Sequence, residues 1–261
     1  MNNAPIGIFD SGMGGLSVWR NIRAALPDES LLYYADAAHC PYGDRGHDEI
    51  LGYVEEVVRQ MLGRGVKMVV VACNTATAAA IGHLRGEYPN IPFVGMEPAV
   101  KPAALSTKSG VIAVLATRSS LDGGHFRRTS AEFADRAKIL SAVGEGWVDI
   151  VESNRENTPE AFEAVRKVVE PLVAAGADRI VLGCTHYPFL TSVIKQVVGD
   201  RVVSLVNSAP AIVRRVKELL SANSLEAAAS NTPVYDFMTS ADGDYLARLK
   251  AKADAACKMD M

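Results

Sequence analysis

Two cysteines occupy matching positions in two similar stretches of the chain. Cys73 ends the stretch GVKMVVVAC and Cys184 ends GADRIVLGC, and each follows the first glycine of its stretch, Gly65 or Gly176, by the same number of residues. A thiolate accepts a proton and a thiol donates one, so two such groups can remove a proton from one face of a small substrate and return one to the other. The matched spacing therefore favours acid–base chemistry with inversion at a carbon.

Both cysteines are followed by residue types that begin helices, Asn74 and Thr75 after the first and Thr185 and His186 after the second. Free N–H groups and the dipole at a helix N-terminus favour a thiolate and can bind a carboxylate. Because histidine titrates near neutral pH, His186 could act as an acid or base, or equally as a local cap. The alternative is that both cysteines are packed small residues in two duplicated strands.

Polar residues also follow the first apolar run, in IGIFDSGMGG. Asp10 could bind a substrate ammonium group or hold a proton-transfer residue, with Ser11 beside it; the alternative is a carboxylate that closes a turn. The glycines that follow permit a tight turn and close approach to a ligand. A nucleotide loop is disfavoured, because the Lys-Ser/Thr ending of a phosphate-binding loop and a ribose-binding acid are missing.

A second turn, AHCPYGDR, places Pro41, Tyr42 and Gly43 on a loop that could close over a ligand. Cys40 has no counterpart in the repeated stretches, so we assign it no role. Cys257 lies in the polar stretch KADAACKMDM at the end of the sequence and is expected to be a surface thiol.

The elements that must position these residues are short apolar runs that alternate with longer amphipathic segments. This alternation predicts an α/β fold with a mainly parallel sheet, in which ligands bind at the carboxyl ends of the strands. Helical patterns such as 49–65 and 159–176 end in a glycine that suits a C-cap. The apolar runs cover residues 6–9, 31–35, 68–72, 93–96, 111–116, 180–183 and 202–206.

The chain divides near EPAVKPAAL, where two prolines separate the first strand–helix series from a second one. After the second series come a helix at 210–220, a polar linker and a late strand, VYDFMT, that we expect to return to the first series. We therefore predict two pseudo-symmetric lobes, residues 1–97 plus 208–261 and residues 98–207. Each lobe is a mainly parallel sheet flanked by helices, with the active site in the cleft between them.

Composition excludes several classes of function. The 261 residues are 49% hydrophobic, enough for a large core, and the net charge of −3 with scattered Lys and Arg argues against binding nucleic acid. No apolar stretch approaches the length of a membrane span and the first residues do not resemble a secretory signal, so we expect a cytoplasmic protein. Four widely spaced cysteines and five histidines without paired ligand spacing predict neither a disulfide framework nor a metal site.

Six ordered motifs, spread over almost the whole chain, resemble the glutamate racemases of the Asp/Glu racemase superfamily. They are FDSGMGGLSV, PYGDR, ACNTATA, GMEPAVKPA, LGCTHYPFL and FMTSADGDYL; FDSGMGG and GCTHYP favour glutamate over aspartate racemases. The resemblance implies a homodimer that interconverts L- and D-glutamate for bacterial peptidoglycan without metal or pyridoxal cofactor. It also implies that Cys73 deprotonates D-glutamate with support from Asp10, and that Cys184 deprotonates L-glutamate with support from His186.

The same resemblance implies a set of substrate-binding residues: Asp10, Ser11, Pro41, Tyr42, Gly43, Asn74, Thr75, Thr117, Thr185 and His186. Two stretches depart from the family pattern. SAVGEGWVDIVES differs before the second thiol, so no role is carried onto Glu152, and Val114 replaces a common threonine, which leaves Thr117 as the hydroxyl contact. Three alternatives stay open: an aspartate or other amino-acid racemase, a thiol hydrolase using Cys184 and His186, and a non-catalytic amino-acid-binding module.

Overall fold

The computed structural model describes residues 1–259 and divides them into two compact units. The first unit combines Met1–Met96 with Ala209–Met259, and the second is Glu97–Ser208. The lobes predicted from the sequence, 1–97 plus 208–261 and 98–207, stay a prediction as domains, and residues 260 and 261 lie outside the described part of the chain. Each unit has its own sheet and its own buried core.

Strands in the described residues form two sheets in which every pairing is parallel. The first unit has the order β4-β3-β1-β2-β9 and the second the order β6-β5-β7-β8. This arrangement confirms the predicted α/β class with mainly parallel sheets. The strands are β1 (Ile6–Asp10), β2 (Leu31–Ala35), β3 (Met68–Val71), β4 (Phe93–Gly95), β5 (Val111–Ala116), β6 (Lys138–Val143), β7 (Arg179–Gly183), β8 (Ser204–Val206) and β9 (Tyr235–Thr239).

Helices connect and flank these strands. They are α1 (Leu16–Ala25), α2 (His47–Gly63), α3 (Asn74–Glu87), α4 (Val100–Ser106), α5 (Arg118–Asp122), α6 (Gly124–Glu132), α7 (Trp147–Glu152), α8 (Pro159–Ala174), α9 (Thr191–Val198), α10 (Ala209–Ala222) and α11 (Tyr245–Ala256). Short 3-10 helices cover Ala37–His39, Tyr42–Asp44 and Tyr187–Leu190. Among residues 1–259, no helix combines the length and the hydropathy that crossing a bilayer requires.

The central strands β1, β2 and β3 are buried along their whole length, as expected for a parallel sheet covered on both faces. One face of β3 packs on α2, which points Val54, Val57 and Val58 inward at helical spacing. In the second unit, Ile112 of β5 and Val181 of β7 belong to the equivalent core. The strands that end at the candidate site are therefore held rigidly in each unit.

Two elements differ from the sequence expectation. β6 was missed because KILSAV carries polar residues and forms an edge strand with no fully buried position. The polar stretch KADAACKMDM, residues 252–261, is helical as far as Ala256, since Leu249, Ala253 and Ala256 repeat at helical spacing and are buried. The late strand is confirmed: β9 pairs with β2 in the first sheet.

Candidate active site

In the first unit, Asp10 and Cys73 lie at the same edge of the sheet. Asp10 ends β1, Cys73 follows the neighbouring strand β3, and the N–H of Ala72 donates to the carbonyl of Phe9 at 2.7 Å. The carboxyl ends of parallel strands are where ligands bind in this architecture. The topology therefore brings both predicted residues to the edge where chemistry is expected.

Cys73 is the N-cap of α3. Its Sγ accepts the N–H of Ala76 at 3.5 Å and lies 4.0 Å from the hydroxyl of Ser11, to which the thiol can donate. The side chain is 6% exposed. A sulfur that receives a backbone N–H at a helix N-terminus is stabilised as a thiolate, so this position suits a proton acceptor.

The carboxylate of Asp10 is fully buried and wrapped by the glycine-rich turn. Its Oδ2 accepts the N–H groups of Gly12 at 3.3 Å and Gly15 at 2.8 Å, so the bond to Gly12 gives the turn-closing arrangement weighed as the alternative. A Cβ on Gly15 would lie 2.6 Å from the Cβ of Asp10 and 2.8 Å from the hydroxyl of Tyr33. The glycine is therefore needed for close packing against this carboxylate.

Asn74 is buried at the first position of α3, and neither polar atom of its amide has a hydrogen-bond partner among the described residues. A buried amide without partners costs free energy, and such groups in folded proteins call for an explanation. Thr75 beside it is also buried. The pair offers polar groups at the sheet edge, next to Cys73, in a place suited to a ligand.

Tyr42 is buried, and its hydroxyl donates to Oδ2 of Asp36 at 2.5 Å. Burial, followed by the negative charge of Asp36, raises the pKa of Tyr42 far above its usual range. The phenol is thus a permanent donor that is already used within the unit. The hydroxyl proton of Tyr42 is therefore already engaged by Asp36, which leaves the main chain of this loop as its available donor.

In the second unit, Cys184 directly follows β7 and Thr117 directly follows its neighbour β5. Thr117 caps α5, where its hydroxyl accepts the N–H of Ser120 at 3.4 Å and donates to the hydroxyl of Ser120 at 2.9 Å. The α-helix expected after Cys184 is instead the 3-10 helix Tyr187–Leu190, and α9 begins only at Thr191. The second thiol therefore has a different helical setting from the first.

His186 connects Cys184 with a carboxylate that the sequence did not assign. Its Nδ1 lies 3.8 Å from Sγ of Cys184 and 3.4 Å from the hydroxyl of Thr185, and its Nε2 lies 2.7 Å from Oε1 of Glu152. The histidine ring is buried. A carboxylate at Nε2 holds the proton on that nitrogen, which leaves Nδ1 to accept a proton from the thiol.

Glu152 was given no role from the sequence because the stretch SAVGEGWVDIVES around it departs from the family pattern, and the spacing of residues does not relate position 152 to position 186. It ends α7, a six-residue helix anchored by the buried ring of Trp147, which packs edge-on against Tyr187 with ring centroids 4.8 Å apart. Tyr187 follows His186 directly, so this contact sets α7 beside the histidine. A carboxylate at the end of a short amphipathic helix was the available signal, and it is a weak one.

Each of the two α/β units has a parallel sheet, and a buried thiol lies at the carboxyl edge of that sheet beside other polar groups. This arrangement is typical of enzymes that use acid–base chemistry. The family model described as Asp/Glu/Hydantoin racemase matches residues 6–216, and the chain belongs to that family. It is 44% identical over 250 residues to the glutamate racemase of Herpetosiphon aurantiacus, covering 96% of this chain and 98% of that protein.

Solved structures of glutamate racemases are also similar. The isoform RacE1 from Bacillus anthracis superposes with a TM-score of 0.84 at 31% identity, covering 98% of this chain and 95% of that one. The Escherichia coli enzyme, solved with L-glutamate and the activator UDP-MurNAc-ala, superposes with a TM-score of 0.85 at 31% identity. The match covers 97% of this chain and 95% of that one. The resemblance read from the motifs is confirmed, and with it the class of enzyme, an isomerase.

Proposed function

We propose that this protein interconverts L- and D-glutamate by a two-base mechanism in which Cys73 and Cys184 transfer the protons. The substrate follows from the relatives, which carry the name glutamate racemase at about the same identity over most of the chain. An aspartate or other amino-acid racemase is the alternative, and the experiment below separates the two.

The matched settings of the two thiols are the observation that supports this mechanism. Each cysteine is 6% exposed, lies just after an interior strand of its sheet, and follows a glycine with positive φ, 75° at Gly65 and 96° at Gly176. Cys73 lies beside the hydroxyl of Ser11, and Cys184 lies beside His186. Packing explains a buried cysteine at the end of a sheet, but it does not explain a polar side chain within hydrogen-bonding range of each thiol.

In the L-to-D direction, the thiolate of Cys184 takes the α-proton, the C–H bond breaks and its electron pair stays on the α-carbon. The thiol of Cys73 then donates its proton to the opposite face, and the D-to-L direction exchanges the two roles. The sum is one proton lost and one gained, so the reaction needs no oxidant or reductant, and the resemblance to glutamate racemases implies that no cofactor takes part. Backbone N–H groups and hydroxyls near the carboxylates would stabilise the developing charge.

Glutamate carries two carboxylates and an ammonium group, and the candidate residues match these needs. The unpaired amide of Asn74, with Thr75, suits one carboxylate; Thr185 and Thr117 supply hydroxyls in the second unit. Asp10, supporting Cys73, is a carboxylate suited to the ammonium group. The remaining proposed contacts are Ser11, His186 and the main chain at 41–43.

The proposal extends to the role of the reaction in the cell. D-glutamate would be supplied for peptidoglycan synthesis by a cytoplasmic homodimer. The resemblance to glutamate racemases supports this role.

The test incubates the protein with L-glutamate in deuterated water and follows α-proton exchange and optical rotation, with L-aspartate in parallel. We expect both signals with glutamate and weak or no signal with aspartate. Equal turnover of both amino acids would replace glutamate racemase by a broader racemase, and no exchange with either would exclude a racemase.

Cys73→Ser and Cys184→Ser should each lower racemisation in both directions by at least about a thousandfold, since each full reaction uses both groups. Cys257→Ser is the matched control, because that thiol is exposed and lies outside the site. If Cys73→Ser keeps hydrolytic activity on an amide or ester substrate, the thiol hydrolase based on Cys184 and His186 is the better account.

A further inference from the structure

Residues 37–45 form a loop between β2 and α2, called the 37–45 loop below. It carries Pro41, Tyr42 and Gly43, whose main chain is proposed above to bind the substrate. Contacts that fix this loop to the sheet would also place its substrate-binding main chain, a role that rests on the proposed function.

Asp36 lies directly after β2 and anchors the start of the loop. Its N–H donates to the carbonyl of Asp10 at 2.9 Å, which ties it to the neighbouring strand β1 at the candidate site. Its side chain is 2% exposed. A buried carboxylate is costly unless it is hydrogen-bonded, so its partners identify what it does.

Both side-chain partners described for this carboxylate belong to the 37–45 loop. The hydroxyl of Tyr42 donates to Oδ2 at 2.5 Å, and Nδ1 of His39 lies 2.9 and 3.0 Å from the two oxygens. Hydrogen bonds to an ionised group are stronger than neutral ones. Asp36 thus holds the loop at two points, one of them in the segment proposed to bind the substrate.

The outer side of the loop is fastened to α2. The ring of His39 stacks on Tyr53 with centroids 3.8 Å apart, and Arg45 donates to the carbonyl of His39 at 2.7 Å and to Glu49 at 2.5 Å. These groups are more exposed than Asp36. The loop is therefore clamped between a helix and a buried carboxylate at the end of β2.

We propose that Asp36 is a positioning residue for the reaction. Its carboxylate holds Tyr42, and Tyr42 holds the main chain at 41–43 in the geometry that binds the substrate. The hydroxyl of Tyr42 donates its proton to Asp36 inside the unit, so we assign the ligand contact at this position to the main chain. The function of this tyrosine is to place its own backbone.

Asp36→Asn tests this inference, because the amide keeps the size of the side chain but replaces one acceptor oxygen by a donor. We expect KM for glutamate to rise about tenfold or more in both directions while kcat stays within about threefold. This is the result expected when a lost contact had bound the substrate and the transition state equally well. A melting curve reports any loss of stability separately. An unchanged KM in a folded variant would overturn the proposal, and so would a fall in kcat at constant KM.

Tyr42→Phe gives a second test that keeps the ring and the packing. It should raise KM in the same direction, and the double variant Asp36→Asn/Tyr42→Phe should lose about as much as Asp36→Asn by itself, since both changes break one interaction. Multiplied effects would mean that the two residues act independently, against the proposal. If Asp36→Asn does not fold, the rise in KM of Tyr42→Phe decides.

Asp48→Asn is the matched control, since that carboxylate is fully exposed on the first turn of α2 and should leave KM unchanged. The wild-type measurement separates the two proposals. Without racemisation by the wild type, the proposed function fails; with racemisation and an unchanged KM in folded Asp36→Asn, the role of Asp36 fails and the function stands.

Discussion

At the scale of single residues, the two thiols have different neighbours although their strands match. Cys73 receives a backbone N–H at the start of α3, whereas Cys184 lies 3.8 Å from an imidazole that is in turn held by Glu152. The first setting stabilises a thiolate through a helix N-terminus, and the second supplies a base that can take up the thiol proton. In the proposed mechanism, the two thiols would therefore be prepared for the same proton transfer by different neighbours.

Replacement of Asn74 should weaken substrate binding without lowering the stability of the fold. Its buried amide has no partner among the described residues, so Asn74→Ala removes an unsatisfied donor and acceptor from the start of α3. We expect the melting temperature to stay the same or rise, because such groups cost about 1–3 kcal/mol when unpaired. KM for glutamate should rise about tenfold or more, from the lost contact to a carboxylate.

Calorimetry and steady-state kinetics on the same preparation check this. The neighbouring Thr77→Ser serves as a comparison: it keeps the hydroxyl that accepts the N–H of Met96 at 2.9 Å, and it should change KM little. A lower melting temperature together with an unchanged KM for Asn74→Ala would show that the amide serves the fold and not the ligand.

The candidate residues that the sequence could predict are those that directly follow an apolar run. Asp10, Cys73 and Cys184 are of this kind, because the end of a strand in a parallel sheet also defines a place in space. Glu152 and Asp36 act through contacts between elements that are remote or irregular in the sequence. Their roles depend on tertiary packing, which no spacing rule encodes.

At the scale of elements, the repeated strands β3 and β7 differ at the residue before the cysteine, Ala72 in one and Gly183 in the other. A Cβ on Gly183 would lie 2.9 Å from the carbonyl oxygen of Leu115 and 3.0 Å from the Cβ of Ala116, both on β5. The backbone of β7 must move away from β5 to accept it. This is the strand end that carries Cys184.

Gly183→Ala should therefore displace Cys184 and lower kcat by about tenfold or more, since small misplacements of a reacting group are costly. The reciprocal change Ala72→Gly creates no clash, and should cost about 0.5–1 kcal/mol of stability through backbone entropy and about as much again through the loss of a buried methyl group. Steady-state measurement of kcat in both variants checks this, with a large fall expected only for Gly183→Ala. Equal, small effects on kcat would show that the strand end tolerates the shift.

Strands with a continuous apolar run were predictable to within about two residues, as β2 and β5 illustrate. β6 was not, because an edge strand exposed on one side has no reason to be uniformly apolar. The 3-10 helix after Cys184 was also missed. Pro188 follows Tyr187 at the start of that helix, and the residue before a proline is biased away from α-helical geometry.

At the scale of the whole molecule, the first unit is assembled from two separate parts of the chain. A buried ion pair connects them: Nζ of Lys67 lies 2.6 Å from Oε2 of Glu29 and donates to the carbonyl of Asn2, while Oε1 of Glu29 accepts the N–H of Ala227. The side chains are 1% and 4% exposed. The pair thus joins the start of the chain to the segment that returns after the second unit.

Lys67→Met should lower the free energy of unfolding of the first unit by about 3–5 kcal/mol, because it leaves the carboxylate of Glu29 buried without its cation. Adding Glu29→Gln should restore more than half of this loss, since the amide oxygen can still accept from Ala227. Arg215→Met is the control, because its pair with Glu218 on α10 is exposed and should contribute less than about 1 kcal/mol.

The two tryptophans of the chain allow this effect to be measured unit by unit. Trp19 is buried in the first unit and Trp147 in the second, so urea unfolding in a Trp147→Phe background follows the first unit through its fluorescence. If Lys67→Met shifts that transition no further than Arg215→Met does, the ion pair does not hold the two chain segments together. A large shift that Glu29→Gln reverses would show that the unpaired carboxylate of Glu29 causes the loss of stability. The returning segment would then be bound to the sheet by electrostatics as well as by the pairing of β9.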